Sequence, residues 1–413
     1  MYSIAILLYA LGVKMAALLG HRKARLMVRG QRETWRLLRK HITQEDRPVW
    51  FHAASLGEFE QGRPLMERLR REHPEQKILL TFFSPSGYEV RKNYDGADIV
   101  CYLPMDTPRS ARRFLRLAHP SRAYIIKYEF WANYFAELHA AGIPTYSVSS
   151  IFRPGQLFFR TWNFGYDRVL HHVTHFYVQD EQSRELLATK GITNVSVVGD
   201  TRFDRVMDIR RQAKNLPEVE HFLGKETGTP QKVFIVGSSW EADEDVYLDY
   251  FKDKDWRLII APHVVSDERI TGLRKRLEGM GIHTTLFSEL SANSAHAEGQ
   301  DADALLVNCY GKLSSIYRYA TVAYVGGGFG VGIHNVPEAA VYGVPVIIGP
   351  NNKKFREAQA LLKNGGCREV HDAQEFATVM DDYDNHPDHL AAAGKAAGNY
   401  ISQNAGAADK IPV

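Results

Sequence analysis

Carboxylates and glycines that directly follow apolar strands are the residues of this sequence that could do chemistry. Glu58 ends the motif SLGE at 55–58, which comes after the apolar strand 48–54. A carboxylate there could take a proton from a hydroxyl nucleophile, and the positive end of a helix dipole favours its ionised, basic form. The alternative is a capping box, because S-x-x-E is a common start of a helix.

A glycine-rich stretch in the other half of the chain has a second kind of chemistry. VGGGFGVGIHNVPEAAVYGVPVIIGP at 325–350 indicates a strand, a glycine loop, a helix and a strand, a layout that brings backbone N–H groups against a phosphate. Asn335 could cap the helix, and Glu338 could accept hydrogen bonds from ribose hydroxyls. The alternative is a plain βαβ unit with glycines for tight turns. No G-x-x-x-x-G-K-[ST] is present, which excludes a P-loop ATPase motif.

Other polar residues follow strands in both halves. Glu129, beside Trp131, suits sugar recognition, although a core Trp and a surface Glu are equally ordinary. In the C-terminal half, the turns that follow strands offer hydroxyl and N–H donors for a phosphate or a base. These turns are Ser238-Ser239, Pro262-His263 and Gly311-Lys312-Leu313.

Alternating strands and helices must position these residues. The pattern predicts an α/β fold of two doubly wound, Rossmann-like domains, each built on a parallel sheet. Ligands of such sheets bind beyond the carboxyl ends of the strands, so we expect a cleft between the domains. The predicted strands are 48–54, 77–83, 99–103, 123–127, 144–149, 175–178 and 195–198, then 233–236, 257–261, 284–287, 304–308, 322–325 and 346–348.

The 413 residues suffice for these two domains. We expect a membrane anchor and basic helix at 1–40, an N-terminal Rossmann-like domain at 41–204, a polar connection at 205–230 and a C-terminal Rossmann-like domain at 231–413, whose last helices could cross back.

The first forty residues divide into an apolar and a basic part. Residues 3–19 are apolar except for Lys14, and residues 21–40 carry eight Lys or Arg and one acid. We expect residues 2–20 to anchor the protein, spanning the membrane or lying in its interface, with the basic helix on the cytoplasmic side against anionic lipid. The alternative is an amphipathic helix packed on the domain. A secretory signal is disfavoured, because no positive n-region or A-x-A site is present.

Composition excludes several classes of protein. A net charge of +3 is too small to indicate nucleic-acid binding, and no zinc-finger or RNP motif occurs. Three scattered cysteines, Cys101, Cys309 and Cys367, fit a reducing compartment, and we expect all three to be buried core residues. No H-E-x-x-H, H-x-H or clustered Asp pair is found, so we expect no metal site and no cofactor.

Several motifs in one order give the sequence a family resemblance. It resembles the Kdo (3-deoxy-D-manno-octulosonic acid) transferases of Gram-negative lipopolysaccharide synthesis, which are metal-independent glycosyltransferases of the two-domain GT-B type. The resemblance covers nearly the whole chain. The motifs are WFHAASLGE at 50–58, KYEFWAN at 127–133, GDTRFD at 199–204, VGSSWEADE at 236–244, APH at 261–263, GKL at 311–313 and GGGFGVGIHNVPEAAVYGVPVIIGP at 326–350.

The resemblance implies an inverting transfer of Kdo from CMP-Kdo to a hydroxyl of the lipid A precursor, the tetra-acyl disaccharide 1,4'-bisphosphate lipid IVA, at the cytoplasmic face of the cell inner membrane. Glu58 would be the general base. The implied CMP-binding residues are Pro262, His263, Gly311, Lys312, Leu313, Asn335, Val336, Pro337 and Glu338. Further candidates for the cleft are Ser55, Gly57, Glu129, Arg202, Ser238 and Ser239.

The chain departs from the family pattern at three places. The family usually reads P-R-H-P-E-R where this chain has PHVVSDER at 262–269, so His263 replaces an arginine and Arg269 follows an insertion. Lys312 stands where a Glu is common, and HNVPE at 334–338 permutes the usual Pro and Leu. Two other functions stay open: a soluble nucleotide-sugar epimerase of the same fold, and a membrane-tethered binding protein in which Glu58 is only a cap.

Overall fold

The structure of the protein, a computed structural model, describes residues 1–224, 231–292 and 301–413. In these ranges every predicted strand is present, and one further strand, β14, was not predicted. The strands are β1 (Val49–Ala53), β2 (Ile78–Phe82), β3 (Ile99–Tyr102), β4 (Arg122–Ile126), β5 (Thr145–Ser150), β6 (His175–Val178), β7 (Val195–Val197), β8 (Val233–Ser239), β9 (Arg257–Pro262), β10 (Thr284–Leu286), β11 (Ala304–Leu306), β12 (Val322–Val325), β13 (Val346–Ile348) and β14 (Cys367–Glu369).

Two parallel sheets account for the described strands. The first has the order β3-β2-β1-β4-β5-β6-β7 and the second β10-β11-β9-β8-β12-β13-β14. The central strands are apolar without alternation: all five residues of β1 are buried, as are all four of β12. Such continuous apolar runs are what a parallel sheet covered by helices on both faces requires.

Helices connect successive strands and cover both sheets. Their bounds are α1 (Tyr2–Leu18), α2 (Arg22–His41), α3 (Leu56–Glu72), α4 (Pro85–Arg91), α5 (Pro108–Ala118), α6 (Ala132–Ala140), α7 (Glu181–Ala188), α8 (Thr201–Gln212), α9 (Pro217–Phe222), α10 (Glu241–Tyr247), α11 (Asp267–Gly279), α12 (Phe287–Ala292), α13 (Leu313–Ile316), α14 (Val336–Ala340), α15 (Arg356–Asn364), α16 (Ala373–Asn385) and α17 (Pro387–Asn404). Short 3₁₀ turns span Leu157–Phe159, Tyr166–His172, Leu248–Phe251, Tyr317–Tyr319 and Ala408–Lys410.

The chain divides into two compact units, each containing one sheet. The first unit comprises Met1–Arg205 and Ala405–Val413, and the second comprises Val206–Asn404. The predicted connection 205–230 falls largely in the second unit, where Leu216 N–H donates to the Tyr319 hydroxyl, and its residues 225–230 lie outside the described ones.

Polar contacts hold the C-terminal tail on the first unit. Asp204, the last residue of the GDTRFD motif, accepts hydrogen bonds from the N–H groups of Gly406 and Ala408. Arg68 of α3 donates to the backbone carbonyls of Ala408 and Ile411. Because Ile411 is fully buried, the tail belongs to the core of this unit.

Helix α1 lies against the first unit along one face. The Tyr2 hydroxyl donates to Asp106 Oδ2 at 2.6 Å, and the Tyr9 ring stacks near Phe83. The opposite face exposes large apolar side chains, including Leu7, Leu8 and Leu11. None of the described helices is by itself long and apolar enough to cross a bilayer; α1 and α2 meet that test only as a pair bent by 116°.

The cysteine prediction is correct for two of the three thiols. Cys101 and Cys367 are buried, but Cys309 is only partly so, because it lies in the loop after β11 rather than in a strand. The prediction that all three are core residues is therefore wrong for Cys309.

A close helix contact supports the segment that carries Asn335 and Glu338. Helix α17 passes the turn that follows α14, and a Cβ on Gly394 would lie 2.4 Å from the Gly343 carbonyl oxygen. We expect Gly394→Ala to push this backbone apart and to destabilise the unit by about 1–3 kcal/mol, measured as the shift of its unfolding midpoint in urea.

Gly272 of α11 is the matched control for that substitution. A Cβ there meets nothing within 4 Å, so Gly272→Ala should stabilise by up to about 1 kcal/mol through helix propensity. Equal effects of the two substitutions would contradict the packing argument.

Candidate active site

In the first unit, Glu58 lies just beyond the carboxyl end of β1. It occupies the first turn of α3 and is half-buried. The alternative, a capping box, is not formed, since the Ser55 hydroxyl makes no cap to the helix and donates to the Glu58 carboxylate instead. Gly57 is exposed, and a Cβ there would meet only the Ser55 hydroxyl. Both residues thus leave the approach to Glu58 open.

Charged groups surround a tyrosine next to Glu58. The Tyr128 side chain, in the loop after β4, is about half exposed. Burial raises its pKa, and its phenol is within electrostatic reach of several charges. These are the charges of Arg153, Asp200, Arg202 and Glu58. Tyr128 and Arg153 were not among the predicted site residues.

A buried carboxylate joins the GDTRFD motif to the helix that carries Glu58. Asp200 Oδ1 accepts from Gln61 Nε2 at 2.8 Å, and Asp200 Oδ2 accepts from the Arg202 guanidinium at 2.8–2.9 Å. Burial acts to raise the pKa of Asp200, but Arg202 and these hydrogen bonds outweigh it and lower the pKa. The predicted Arg202 therefore also neutralises a buried acid behind the site.

Glu129 lies in the same loop, two residues after a left-handed backbone position at Lys127. Its side chain is 21% exposed, and its Oε2 atom is 3.5 Å from Nε2 of the buried His52. Glu58 and Glu129 thus follow two strands that are neighbours in the sheet, β1 and β4.

In the second unit, the predicted donor residues gather at the carboxyl ends of β8, β9 and β12, which are neighbours in the sheet. Ser238 has φ of +55°, at a register shift between β8 and β9, and it is partly exposed. The Ser239 hydroxyl is buried and bonded to Glu244 and Tyr247. Of this predicted pair, only Ser238 presents its side chain to solvent.

The glycine loop donates a backbone hydrogen bond to a carboxylate of the protein itself, that of Asp243. The buried Asp243 carboxylate accepts from the N–H groups of Gly327 and Trp240, each at 2.9 Å, and from the Tyr324 hydroxyl at 3.0 Å. Gly326 must lack a side chain, since a Cβ there would lie 2.4 Å from the Ser238 carbonyl oxygen. The loop is thereby fixed before any phosphate arrives.

Three rings stack beside this loop. The His263 ring lies 4.6 Å from the Trp240 ring and 4.3 Å from the His334 ring, each at an angle of 23°. Trp240 Nε1 donates to His334 Nε2 at 3.2 Å. Trp240 and His334 therefore form a platform under His263, the residue that replaces the expected arginine.

Arg269, the arginine of the PHVVSDER segment, forms an ion pair within the protein. It donates to Glu244, which is 1% exposed, and the pair lines a cavity of about 870 Å³ beside Phe329 and Gly330. Burial raises the pKa of Glu244, and the charge of Arg269 partly offsets this. Arg269, which follows the insertion, is thus paired with a buried acid.

The remaining predicted donor residues lie close to these strand ends. A Cβ on Gly237 would lie 3.0 Å from a methyl group of Leu313, so the GKL segment packs against β8. Gly311 has a φ of +82°, and the partly buried Lys312 is the N-cap residue of helix α13. Its amine is 5.9 Å from the Phe287 ring.

The side chains of Asn335 and Glu338 are hydrogen-bonded to each other. Asn335 Nδ2 donates to Glu338 Oε1 at 2.7 Å, and Asn335 stands at the predicted cap position without a side-chain cap. Val336 and Pro337 between them are buried. These two apolar residues anchor the segment while the polar pair faces outward.

One histidine–aspartate group in the described part of the chain has metal-ligand spacing. It consists of Asp382, His386 and His389, and two of its three residues are exposed. Hydrogen bonds between Asp382 and both histidines already account for its compactness. None of the predicted site residues belongs to it.

Comparison with known proteins finds similarity to Kdo transferases. A family model described as 3-deoxy-D-manno-octulosonic-acid transferase (kdotransferase) matches residues 23–205. The 3-deoxy-D-manno-octulosonic acid transferase of Aquifex aeolicus is 27% identical over 340 residues, which cover 80% of this chain and 84% of that protein. The enzyme of the same name from Bordetella pertussis is 29% identical over 340 residues, covering 75% and 73%. Over most of its length the chain is thus similar to Kdo transferases.

A solved structure supports the fold of this chain. UDP-GlcNAc 2-epimerase from Neisseria meningitidis, bound to UDP-GlcNAc, matches with a TM-score of 0.56 at 14% identity, over 86% of this chain and 98% of that one. The predicted GT-B fold of two doubly wound α/β domains is confirmed. At this identity the likeness concerns the fold alone.

The stacked histidines give this protein a pH-sensitive feature. Burial, and then the neighbouring His263, lower the pKa of His334 to about 4, against about 6.5 in an unfolded chain. Its contribution to stability is therefore present above about pH 6.5 and is lost as the pH falls toward about 4. We expect the unfolding midpoint of the wild type to fall over this window more than that of His334→Phe.

His371→Phe is the control, because the hydrogen bond to Glu375 raises the pKa of the exposed His371. That shift stabilises the protein at low pH, so this substitution should have the opposite pH trend. A His334→Phe midpoint that falls as steeply as the wild type would refute a depressed pKa.

Proposed function

We propose that this protein transfers Kdo from CMP-Kdo to a hydroxyl of the lipid A precursor, with Glu58 as the general base. The observation that carries the proposal is the placement of Glu58, in a chain similar to Kdo transferases, just beyond the carboxyl end of β1 with Ser55 as its hydrogen-bond partner. In the reaction, the acceptor oxygen loses its proton to Glu58 and attacks the anomeric carbon of Kdo. CMP leaves from the opposite face, which inverts the configuration at that carbon.

The surroundings of Glu58 suit an anionic substrate. Arg153 and Arg202 lie within electrostatic reach of the same phenol as Glu58, and Arg153 is exposed. Positive charge there would bind the carboxylate of Kdo or a phosphate of the acceptor. Glu129, partly exposed beside them, would accept a hydrogen bond from a sugar hydroxyl.

The second unit offers groups for the nucleotide. The outward-facing pair Asn335 and Glu338 would bind the ribose hydroxyls, and the glycine loop allows a close approach of the backbone. His263, stacked on its platform, stands where the family pattern has an arginine and would contact the base or the phosphate. Ser238 and Lys312 complete the set of exposed or partly exposed donors at this edge.

A membrane surface would present the lipid acceptor. The outward face of α1 is apolar, and Trp162 and Phe164 are also exposed, at 79% and 71%. Arginines of α2 and α5 line a groove of about 720 Å³: Arg39, Arg109, Arg112, Arg113 and Arg116. Because α1 is held along its inner face by Tyr2 and Tyr9, we propose that it lies in the interface, with the arginines against lipid phosphates.

The first test of the proposal concerns the base. Glu58→Gln keeps the shape of the side chain but cannot take a proton, so we expect Kdo transfer from CMP-Kdo to tetra-acylated lipid A precursor to fall by about 10²–10⁴-fold. CMP binding, measured by calorimetry, should be unchanged.

Glu67→Gln, on the same helix, is the matched control. Glu67 pairs with Arg63 one turn away, so its loss should leave transfer near the wild-type rate. Glu58→Gln with near wild-type activity would exclude Glu58 as the base, whereas CMP binding without transfer by the wild type would favour a binding protein.

The second test concerns the membrane. Replacing Leu7, Leu8 and Leu11 by serine removes apolar area from three side chains of α1 that are each more than half exposed. We expect co-sedimentation with phosphatidylglycerol vesicles to fall at least about tenfold, since each lost side chain removes roughly 1.5–3 kcal/mol of burial.

Val90→Ser and Val331→Ser change exposed apolar residues on other elements, and these controls should not affect sedimentation. Binding to neutral phosphatidylcholine should be weaker than to phosphatidylglycerol because of the arginines. Unchanged vesicle binding by the triple variant would rule out α1 as the anchor.

A further inference from the structure

A histidine in the centre of the first sheet has an unusual environment. His52 lies in β1 among apolar residues, and its side chain is completely buried. A buried imidazole without hydrogen-bond partners costs folding free energy. The partners of its two ring nitrogens are therefore the contacts to examine.

One ring nitrogen of His52 contacts a hydroxyl whose other partners indicate the direction of the hydrogen bond. Trp50 Nε1 donates to Thr81 Oγ1 at 2.8 Å, because an indole nitrogen can only donate. The Thr81 hydroxyl has one hydrogen to donate, and the acceptors within reach are His52 Nδ1 at 2.8 Å and the Phe51 carbonyl at 3.5 Å. The shorter distance favours His52 Nδ1 as the acceptor, and the neutral ring would then carry its proton on Nε2.

The other ring nitrogen faces a carboxylate of the site. His52 Nε2 and Glu129 Oε2 are 3.5 Å apart, and both atoms are buried without another hydrogen-bond partner. A buried donor thus faces a buried acceptor. The Glu129 side chain is 21% exposed although its Oε2 atom is buried, so the exposed area belongs to the other atoms of that side chain.

The start of this chain of hydrogen bonds is rigid. The Trp50 ring packs against Phe114 at 4.9 Å and Tyr134 at 5.9 Å between ring centres. Thr81 pairs with His52 across β1 and β2. The core thereby holds the Trp50 indole and the Thr81 hydroxyl in place beside His52.

We propose that His52 is a positioning residue, whose Nε2–H holds Glu129 Oε2 so that the other carboxylate oxygen accepts a hydroxyl of the sugar substrate. The inference rests on the proposed function for the identity of that substrate. The relay itself, Trp50 to Thr81 to His52 to Glu129, stands on the geometry. Glu129 touches the sugar, and His52 acts only through Glu129.

The tautomer of His52 tests the relay without any substrate. We would record ¹⁵N spectra of histidine-labelled protein at about pH 7.5, where an unperturbed imidazole is neutral, and assign His52 from a His52→Gln difference spectrum. The expected result is an Nε2–H tautomer that persists in Thr81→Ser and is lost to a mixture in Thr81→Val. An Nδ1–H tautomer in the wild type would overturn the proposal.

Two substitutions of His52 separate positioning from packing. A glutamine amide reaches the place of Nε2 and can still donate to Glu129, whereas the shorter asparagine reaches only that of Nδ1. We expect His52→Asn to lower kcat/KM for the lipid acceptor by about 10–100-fold, as supporting residues of a site often do, and His52→Gln to retain most of it. Thermal midpoints of both variants would show that they fold.

A double-mutant cycle completes the test. In the Glu129→Gln background, His52→Asn should cause little further loss, because the residue that it positions is already changed. Equal losses from His52→Asn in both backgrounds, or equal activities of the Gln and Asn variants, would overturn the proposal. If the wild type itself transfers no Kdo, the proposed function fails, and the tautomer still decides the relay.

Discussion

Parallel pairing of the strands is the constraint on which both candidate sites depend. In each sheet it places the carboxyl ends of neighbouring strands at one edge, so that loops far apart in sequence meet there. Glu58 follows β1 and Glu129 follows β4, which pair directly. His263 follows β9 and the glycine loop follows β12, the two neighbours of β8. The chemistry of each unit is thus confined to one edge.

Buried carboxylates prepare these edges for a ligand. Asp243 binds the N–H groups of the glycine loop, and Asp200 binds Gln61 on the helix that carries Glu58. Several hydrogen bonds offset the free-energy cost of desolvating each carboxylate, and Arg202 neutralises the charge of Asp200 as well. Because the loops are fixed by the protein, a substrate need not order them on binding.

The departures from the family pattern change the charge at the second unit's edge. An arginine would be charged at every physiological pH, whereas His263 is stacked against His334, whose pKa is about 4. The nearby Arg269 is paired with buried Glu244 and does not replace the missing charge. Under the proposed function, recognition of a nucleotide here would depend more on stacking and hydrogen bonds than on an arginine.

The sequence by itself determined the two α/β halves, nearly all of the strands, and the positions of Glu58 and the donor residues, because apolar periodicity and turn residues are local signals. It missed β14, since its three residues have no distinctive pattern. Only the tertiary structure decided that Asp243, 84 residues from Gly327, occupies the glycine loop, and that Glu129 faces His52. Such pairs depend on which strands become neighbours, and a local pattern carries no information about that.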